Sequence, residues 1–350
     1  MPRMPLSVQR LALAGSAAAS FFLASCAESP SSPARELNPG TASLSQSPEL
    51  NDPTGRHLFH TRQWYEINAL QNAPGNRPTG GGGGGGTGIS YHGGPVLQAG
   101  TKVAAVYWAN TPIYPGAPAT GVGDGANDGS LIGFFLRSLS GSSYFNINST
   151  YYDASNQHIL NSVAYTQFLA NTSNVPADGA TVTDAQMLQM LQTAFNTQGL
   201  NYDPNTLYAI FTAGKVNLGG GFGTQYCAYH THGTVTIGTS KYVVLYAAMP
   251  YDAAYPGACT NASTSPNGDV GADAEVNTLA HETEETTTDM MANAWFDVRG
   301  YENADKCAWT WGTTYTTSNG GLANMNLGGK DFLVQRNWVN VAPGGCALKY

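Results

Sequence analysis

The run Asn277-Thr-Leu-Ala-His281-Glu282-Thr-Glu-Glu285 carries an imidazole and carboxylates at a spacing that can do chemistry. On a helix, His281 and Glu285 are four residues apart, project from one face and can grip a single ion, while Glu282 sits beside the first of them. Imidazole and carboxylate are both ordinary zinc ligands, and a catalytic zinc needs three protein ligands and an open position for water. The third ligand must then come from elsewhere in the chain. Glu302 and Asp305, in Glu302-Asn-Ala-Asp305-Lys-Cys307, are the first candidates, and His230 and His232 near Cys227 are weaker ones. Glu282 is assigned as the general base that takes a proton from the water attacking a carbonyl.

The spacing is that of the His-Glu-x-x-His zinc helix with the second histidine replaced by glutamate. An exposed acidic helix with an incidental histidine is the plainer reading of five residues alone. Against it, Val276, Leu279 and Ala280 before His281 are apolar, and acidic residues and Cys307 return soon afterwards in a turn-rich stretch. Buried histidines and carboxylates need partners or an ion. His92 reads first as a turn histidine holding Gly93 and Gly94, and second as a residue lining the site. Trp295, Trp309 and Trp311 could stack on sugars or fill a core. No serine-nucleophile motif stands out, and neither Gly80 to Gly86 nor Gly219 to Gly221 has the context of a phosphate cradle.

The elements that must position these groups follow from periodicity. A helix from about Val270 to Thr287 carries the candidate ligands. Thr183-Asp184 precede a second helix whose Met187, Leu188, Leu191 and Phe195 recur at helical spacing and which ends at Gly199. Leu131 to Leu139 has helical spacing too. Lys102 to Trp108, Thr206 to Thr212 and Tyr242 to Ala248 are continuous apolar runs of strand length, the last two flanking a Gly-rich loop that carries Cys227. Phe145 to Tyr152, Ile159 to Leu169 and Asp331 to Gln335 read as strands, and His57 to Tyr65 as a small helix docking back. The fold class expected is α+β: a mixed β-sheet with helices packed on it, stapled by disulfides.

The N-terminus has Arg3 and Arg10, an uncharged stretch from Leu11 to Ser25, and then Cys26. Those are the parts of a secretory signal, residues 1–25, and the apolar stretch is too short to span a membrane comfortably. Leu23-Ala24-Ser25-Cys26 resembles the bacterial lipobox, which implies lipidation of Cys26, attachment to a membrane, and a place at the cell envelope, in the outer membrane or on the surface. Residues 26–87, rich in Ser, Pro, Asn and Gly and ending in Gly80 to Gly86, are expected to act as a tether. The stretch 88–350 is long enough for one large domain. A net charge of -8 argues against nucleic acid as a partner. After Cys26, four cysteines remain, Cys227, Cys259, Cys307 and Cys346, an even number in an oxidising compartment. Of the three pairings, Cys227 with Cys259 and Cys307 with Cys346 is preferred, since each closes a segment that otherwise looks irregular. Metal thiolates are the alternative, without a CxxC spacing to support them.

Tyr91-His92-Gly-Gly-Pro-Val-Leu97, Tyr226-Cys227-Ala-Tyr-His230, Pro266-Asn-Gly-Asp-Val-Gly271, His281-Glu282-x-x-Glu285 with Thr288-Asp289, Ala294-Trp295, Asp305-x-Cys307 and Leu333-Val-Gln335 with Trp338 run through the domain in order. This succession resembles the phosphate-induced protein or Exordium family of plants and its bacterial relatives, with Met290 departing from a proline common in the latter. The resemblance implies an extracellular protein associated with growth and the cell wall, and no established reaction. The order of elements also resembles the zincin metallopeptidases. Together these readings lead to a tethered protein with one divalent metal, zinc first, held by His281, Glu285 and a downstream carboxylate, acting on a peptide or cell-wall peptide. The alternative is a non-catalytic module that binds glycan or protein and holds a structural ion.

Overall fold

Lys102 to Trp108 alternates its side chains between two apolar environments, as a strand covered on both faces must. In the computed structural model, which describes residues 55–71 and 88–350, this stretch is central to a seven-stranded sheet. Cys26, the signal sequence and the glycine run 80–86 lie outside the described residues. The elements in chain order are β1 (His57–His60), α1 (Arg62–Gln71), β2 (Ser90–Tyr91), β3 (Thr101–Trp108), β4 (Gly121–Asp124), α2 (Leu131–Leu139), β5 (Val163–Asn171), α3 (Asp184–Thr197), β6 (Thr206–Thr212), β7 (Tyr226–Ile237), β8 (Ser240–Pro250), α4 (Val270–Thr288) and β9 (Trp295–Phe296). The sheet order is β1-β7-β8-β6-β3-β5-β4. β8, β6, β3 and β5 are parallel, while β7, β1 and β4 run antiparallel to their neighbours.

Val103, Ala105 and Tyr107 face α2 and α4, packing with Phe135, Leu136, Val276 and Leu279. Ala104, Val106 and Trp108 face the opposite layer, where α3 contributes Met187, Met190, Leu191 and Ala194. The sheet is thus sandwiched between helices, and the chain is α+β with a large mixed sheet. α3 begins at a capping box in which Thr183 and Gln186 satisfy each other's backbone donors. After α4 the chain forms short two-stranded ladders, 315–316 with 322–323, 325–327 with 330–332, and 337–339 with 345–347.

α4 is buried along its length, from Gly271 to Thr288, although much of its sequence is polar. Asp269 caps it by accepting from the Ala272 N–H. Thr286 and Thr287 turn their hydroxyls back onto the carbonyls of Glu282 and Thr283, at 2.7 and 2.6 Å, so those polar atoms are satisfied inside the helix. The plainer reading of this helix as an exposed acidic one is therefore excluded.

Several sequence expectations are corrected. Phe145–Thr150 is a 3-10 helix, not a strand, because Ser149 and Thr150 bond back to the carbonyls of Asn146 and Ile147 at 2.7 Å each. Cys227 lies in β7, not in a loop. The strand expected from Ile159 to Leu169 begins only at Val163 and runs to Asn171, and that at 331–335 is confined to Lys330–Phe332. The helix expected across His57 to Tyr65 is instead the strand β1, paired with β7, followed by α1. Two disulfides, Cys227–Cys259 and Cys307–Cys346, staple the domain. No helix among the described residues is long and apolar enough to cross a membrane.

Candidate metal centre

Because α4 is a helix, His281, Glu282 and Glu285 emerge on adjoining parts of one face, and burial leaves them no water to turn to. His281 Nε2 stands 3.1 Å from Glu285 Oε1 and 3.7 Å from Asp305 Oδ1. These three donors form one potential ligand group. Asp305 is held in place from several sides. Its backbone N–H donates to Glu285 Oε1 at 3.0 Å, its Oδ2 accepts from the Glu302 N–H at 3.2 Å, and Tyr65 donates its hydroxyl to Oδ1 at 2.6 Å. Two residues on, Cys307 is tied to Cys346, so the loop that carries Asp305 is fixed covalently as well.

His230 comes from β7 and joins the same cluster. Its Nδ1 is 3.2 Å from Glu282 Oε2 and 3.6 Å from Glu285 Oε2, and its Nε2 is 3.7 Å from Glu302 Oε2. Glu302 in turn meets His57 Nδ1 at 2.5 Å. Two further groups with ligand geometry result, His230 with Glu282 and Glu285, and His57 with His230 and Glu302. The structure therefore brings His281, Glu282, Glu285, Glu302, Asp305 and His230 together. His232 belongs to none of these groups. His92 stands apart from them: it is exposed, stacked on Phe296, with Nε2 3.2 Å from the Phe296 carbonyl. It borders the β2–β9 ladder, where Gly94 approaches Asn293 so closely that any Cβ would collide with its backbone. Trp295 and Trp309 are core residues.

Sequence reasoning missed His57 and Tyr65. Their only signal was an aromatic, histidine-bearing patch, and nothing in it says that β1 joins the edge of β7. Trp309 anchors that strand, donating its indole N–H to the His60 carbonyl at 2.9 Å and stacking on Phe59, whose ring lies 4.1 Å from that of His281.

The electrostatics follow from burial. Burial lifts the Asp305 carboxyl to about 8, with the charge of Glu285 adding to it. Glu282, Glu285 and Glu302 are pushed well above the usual carboxylate range, by burial first. Burial lowers His281 and His57 to about 4, and takes His230 well below the usual histidine range, so all three are neutral at pH 7. Among the described residues no lysine or arginine pairs with these four carboxylates; Lys306, next to Asp305, gives its ammonium to Asp297 at 3.3 Å. Both ring nitrogens of His281, Nε2 of His230, and one oxygen each of Glu282 and Glu302 are buried without a well-directed hydrogen bond. Buried polar atoms are normally paired, and unpaired ones call for an explanation. Neutral imidazoles and carboxylates converging without a counter-cation fit a divalent ion, whose charge would replace the protons that burial otherwise imposes.

The conserved region of phosphate-induced protein 1 matches residues 89–335. The chain belongs to that family. It is 25% identical over 280 residues to Protein EXORDIUM-like 3 of Arabidopsis thaliana, an alignment covering 72% of this chain and 81% of the relative. No solved structure matches it significantly. Within the phosphate-induced protein 1 region lie His230, the whole of α4, Glu302 and Asp305, while β1 and α1, with His57 and Tyr65, precede it.

Proposed function

We propose that this family member binds one divalent metal ion, zinc first, through His281, Glu285 and Asp305, and uses it to hydrolyse peptides. The observation that carries the reading is His281: fully buried and neutral, with two carboxylates within 3.7 Å of Nε2 and the Gln335 side chain as its other polar neighbour. Of the two downstream acids, Asp305 shares a ligand group with His281, while Glu302 groups with His57 and His230 and reaches Glu285. A bound ion would supply Lewis-acid polarisation of a carbonyl and make water a better nucleophile. Provided the ion's charge offsets the burial that otherwise protonates it, Glu282 would accept the proton at Oε1, its oxygen without a partner, while His230 steadies Oε2 from 3.2 Å. Burial keeps His230 neutral, so it orients Glu282 without competing for the cation as a positive charge. The two disulfides support an oxidising compartment, and with the lipobox at Cys26 we place the protein at the cell envelope, lipid-anchored. The zincin-like description belongs to this proposal, resting on the helix-borne His-Glu-x-x-Glu and the mixed sheet.

A specific observation favours a second reading, in which the ion is structural and the domain binds a glycan or protein partner without catalysis. Glu282, Glu285 and Glu302 are at most 1% exposed, so the site is closed to substrate as it stands. The test is cleavage of a broad peptide library by the metal-loaded protein, both whole and cut between Gln71 and Gly88, since part of the cover lies on the first segment. Cleavage that disappears in Glu282→Gln, with metal retained, is the result expected. Stoichiometric metal with cleavage by neither preparation would select the structural ion.

A further inference from the structure

The segment that closes the site is not part of the conserved region that builds it. β1 and α1 end at Gln71, the family match begins at residue 89, and the intervening sequence contains seven consecutive glycines, Gly80 to Gly86. Yet β1 is the edge strand of the sheet, laid antiparallel on β7 with His57 opposite His230 and Phe59 opposite Ala228. Its side chains alternate between the faces. Leu58 packs on the α3 side, while His57 and Phe59 point into the candidate centre, against Glu302 and the His281 ring. α1 adds Tyr65 on Asp305. At the other end Arg56 fastens the segment to Asp184, at 2.9 and 2.7 Å, and lies over the Tyr229 ring. One segment from outside the conserved region, a four-residue strand followed by a helix, therefore touches His281, His230, Glu302 and Asp305.

Adding a strand to a sheet edge is a general mode of peptide recognition: the backbone ladder gives affinity and alternate side-chain pockets give specificity. We infer that the outer edge of β7 is a binding site for an extended peptide running antiparallel to it, and that the strand His57–His60 occupies this edge in cis, with α1 following it over Asp305. The pocket filled by Phe59, between His281 and Trp309, selects an aromatic or large apolar side chain. The position two residues earlier, filled by His57 beside Glu302, selects an imidazole or another hydrogen-bonding group. This inference rests on the reading of the site as peptide-directed, and it resolves how a closed site becomes accessible: β1 leaves and a second strand replaces it. A covalently tethered occupant competes at an effective concentration on the order of millimolar, so the intact chain should resist a free peptide present at much lower concentration.

The probe is a fluorescent synthetic peptide of residues 55–66, with a Phe59→Pro version as control. A protease site inserted in the glycine run allows the full chain to be cut there while every described residue stays native. The cut chain, washed at low concentration, should bind the probe at least ten-fold more tightly than the intact chain and should refuse the proline version. Equal binding by cut and intact chains, or none by the cut chain, would overturn the inference. If cutting unfolds the protein in a thermal melt, full-length Phe59→Ser, with its anchor against Trp309 removed, is used with the same criteria. The two readings fail separately. Probe binding without library cleavage leaves the peptide site standing and removes the hydrolase; equal cleavage by cut and intact chains does the reverse.

Discussion

Removing the bridge between Cys307 and Cys346 in a double serine variant perturbs the loop that holds Asp305 while leaving every proposed ligand in place. The two cysteines are 39 residues apart. A closed loop of that size restricts the unfolded chain by about 4 kcal/mol in the loop-entropy account, inside the range of 2–5 commonly lost when a native bridge is removed from a small secreted domain. For a domain of roughly 260 residues the entropy of unfolding at the midpoint is about 0.5 kcal/mol per kelvin, so the melting temperature should fall by roughly 7 °C. Differential scanning calorimetry under non-reducing conditions, with chelator present, reads this effect without any contribution from metal. The same variant should take up zinc more weakly, because Cys307 lies two residues beyond Asp305 and the bridge is the covalent restraint on a loop otherwise held by packing, the Lys306–Asp297 ion pair and hydrogen bonds such as Gln335 Nε2 to the Ala304 carbonyl at 2.9 Å. A drop of less than about 2 °C would show that the bridge does not constrain the unfolded chain in this way.

Chelated protein should lose thermal stability as pH rises from about 6.5 to 8, above the range in which the depressed histidines His281 and His57 shift stability the other way. Asp305 titrates near 8 when folded against 3.8 unfolded, so its contribution is fully present below the unfolded value and is lost as pH rises through the folded one. Metal-loaded protein should not show that decline, and isothermal titration in buffers of differing ionisation enthalpy should register proton release on zinc uptake at pH 7; no release would contradict the buried, protonated carboxylates. Cys26→Ser should abolish incorporation of labelled fatty acid and leave the precursor uncleaved by the lipoprotein peptidase. Wild-type protein lacking acyl chains by mass would contradict the lipid anchor.

The legibility of this chain in its sequence varied with how local the cause was. The capping box at Thr183 and Gln186 and the apolar runs of β3, β6 and β8 are short-range signals, and the elements formed where those signals lie. The His281 helix and the placing of Glu285 beside His281 were readable from spacing; that Asp305, of the two downstream acids, joins them is visible only in the fold. Val276, Leu279 and Ala280 signalled burial of one side of this helix, but burial of its glutamate- and threonine-rich end through Thr288 was not readable, since such side chains ordinarily mark an exposed face. The role of β1 was still less visible. Four residues, His57 to His60, carry no decisive period, and their state is decided by pairing with β7, more than 160 residues away. The 3-10 turn at Phe145–Thr150 failed as a strand for the opposite reason, since local side-chain bonds outcompeted ladder formation.

Metal stoichiometry decides whether His281, Glu285 and Asp305 hold a divalent ion. The full chain, purified without chelator, equilibrated with zinc and freed of excess, is measured by elemental analysis beside His281→Ala, Glu285→Ala, Asp305→Ala and Glu282→Gln. One zinc per chain is expected in the wild type and in Glu282→Gln, and sharply reduced content in each of the other three, because a site with three protein ligands has none to spare. Wild-type protein without stoichiometric zinc, calcium or manganese after equilibration with each, and with a melting temperature indifferent to chelator, would contradict a metal site there.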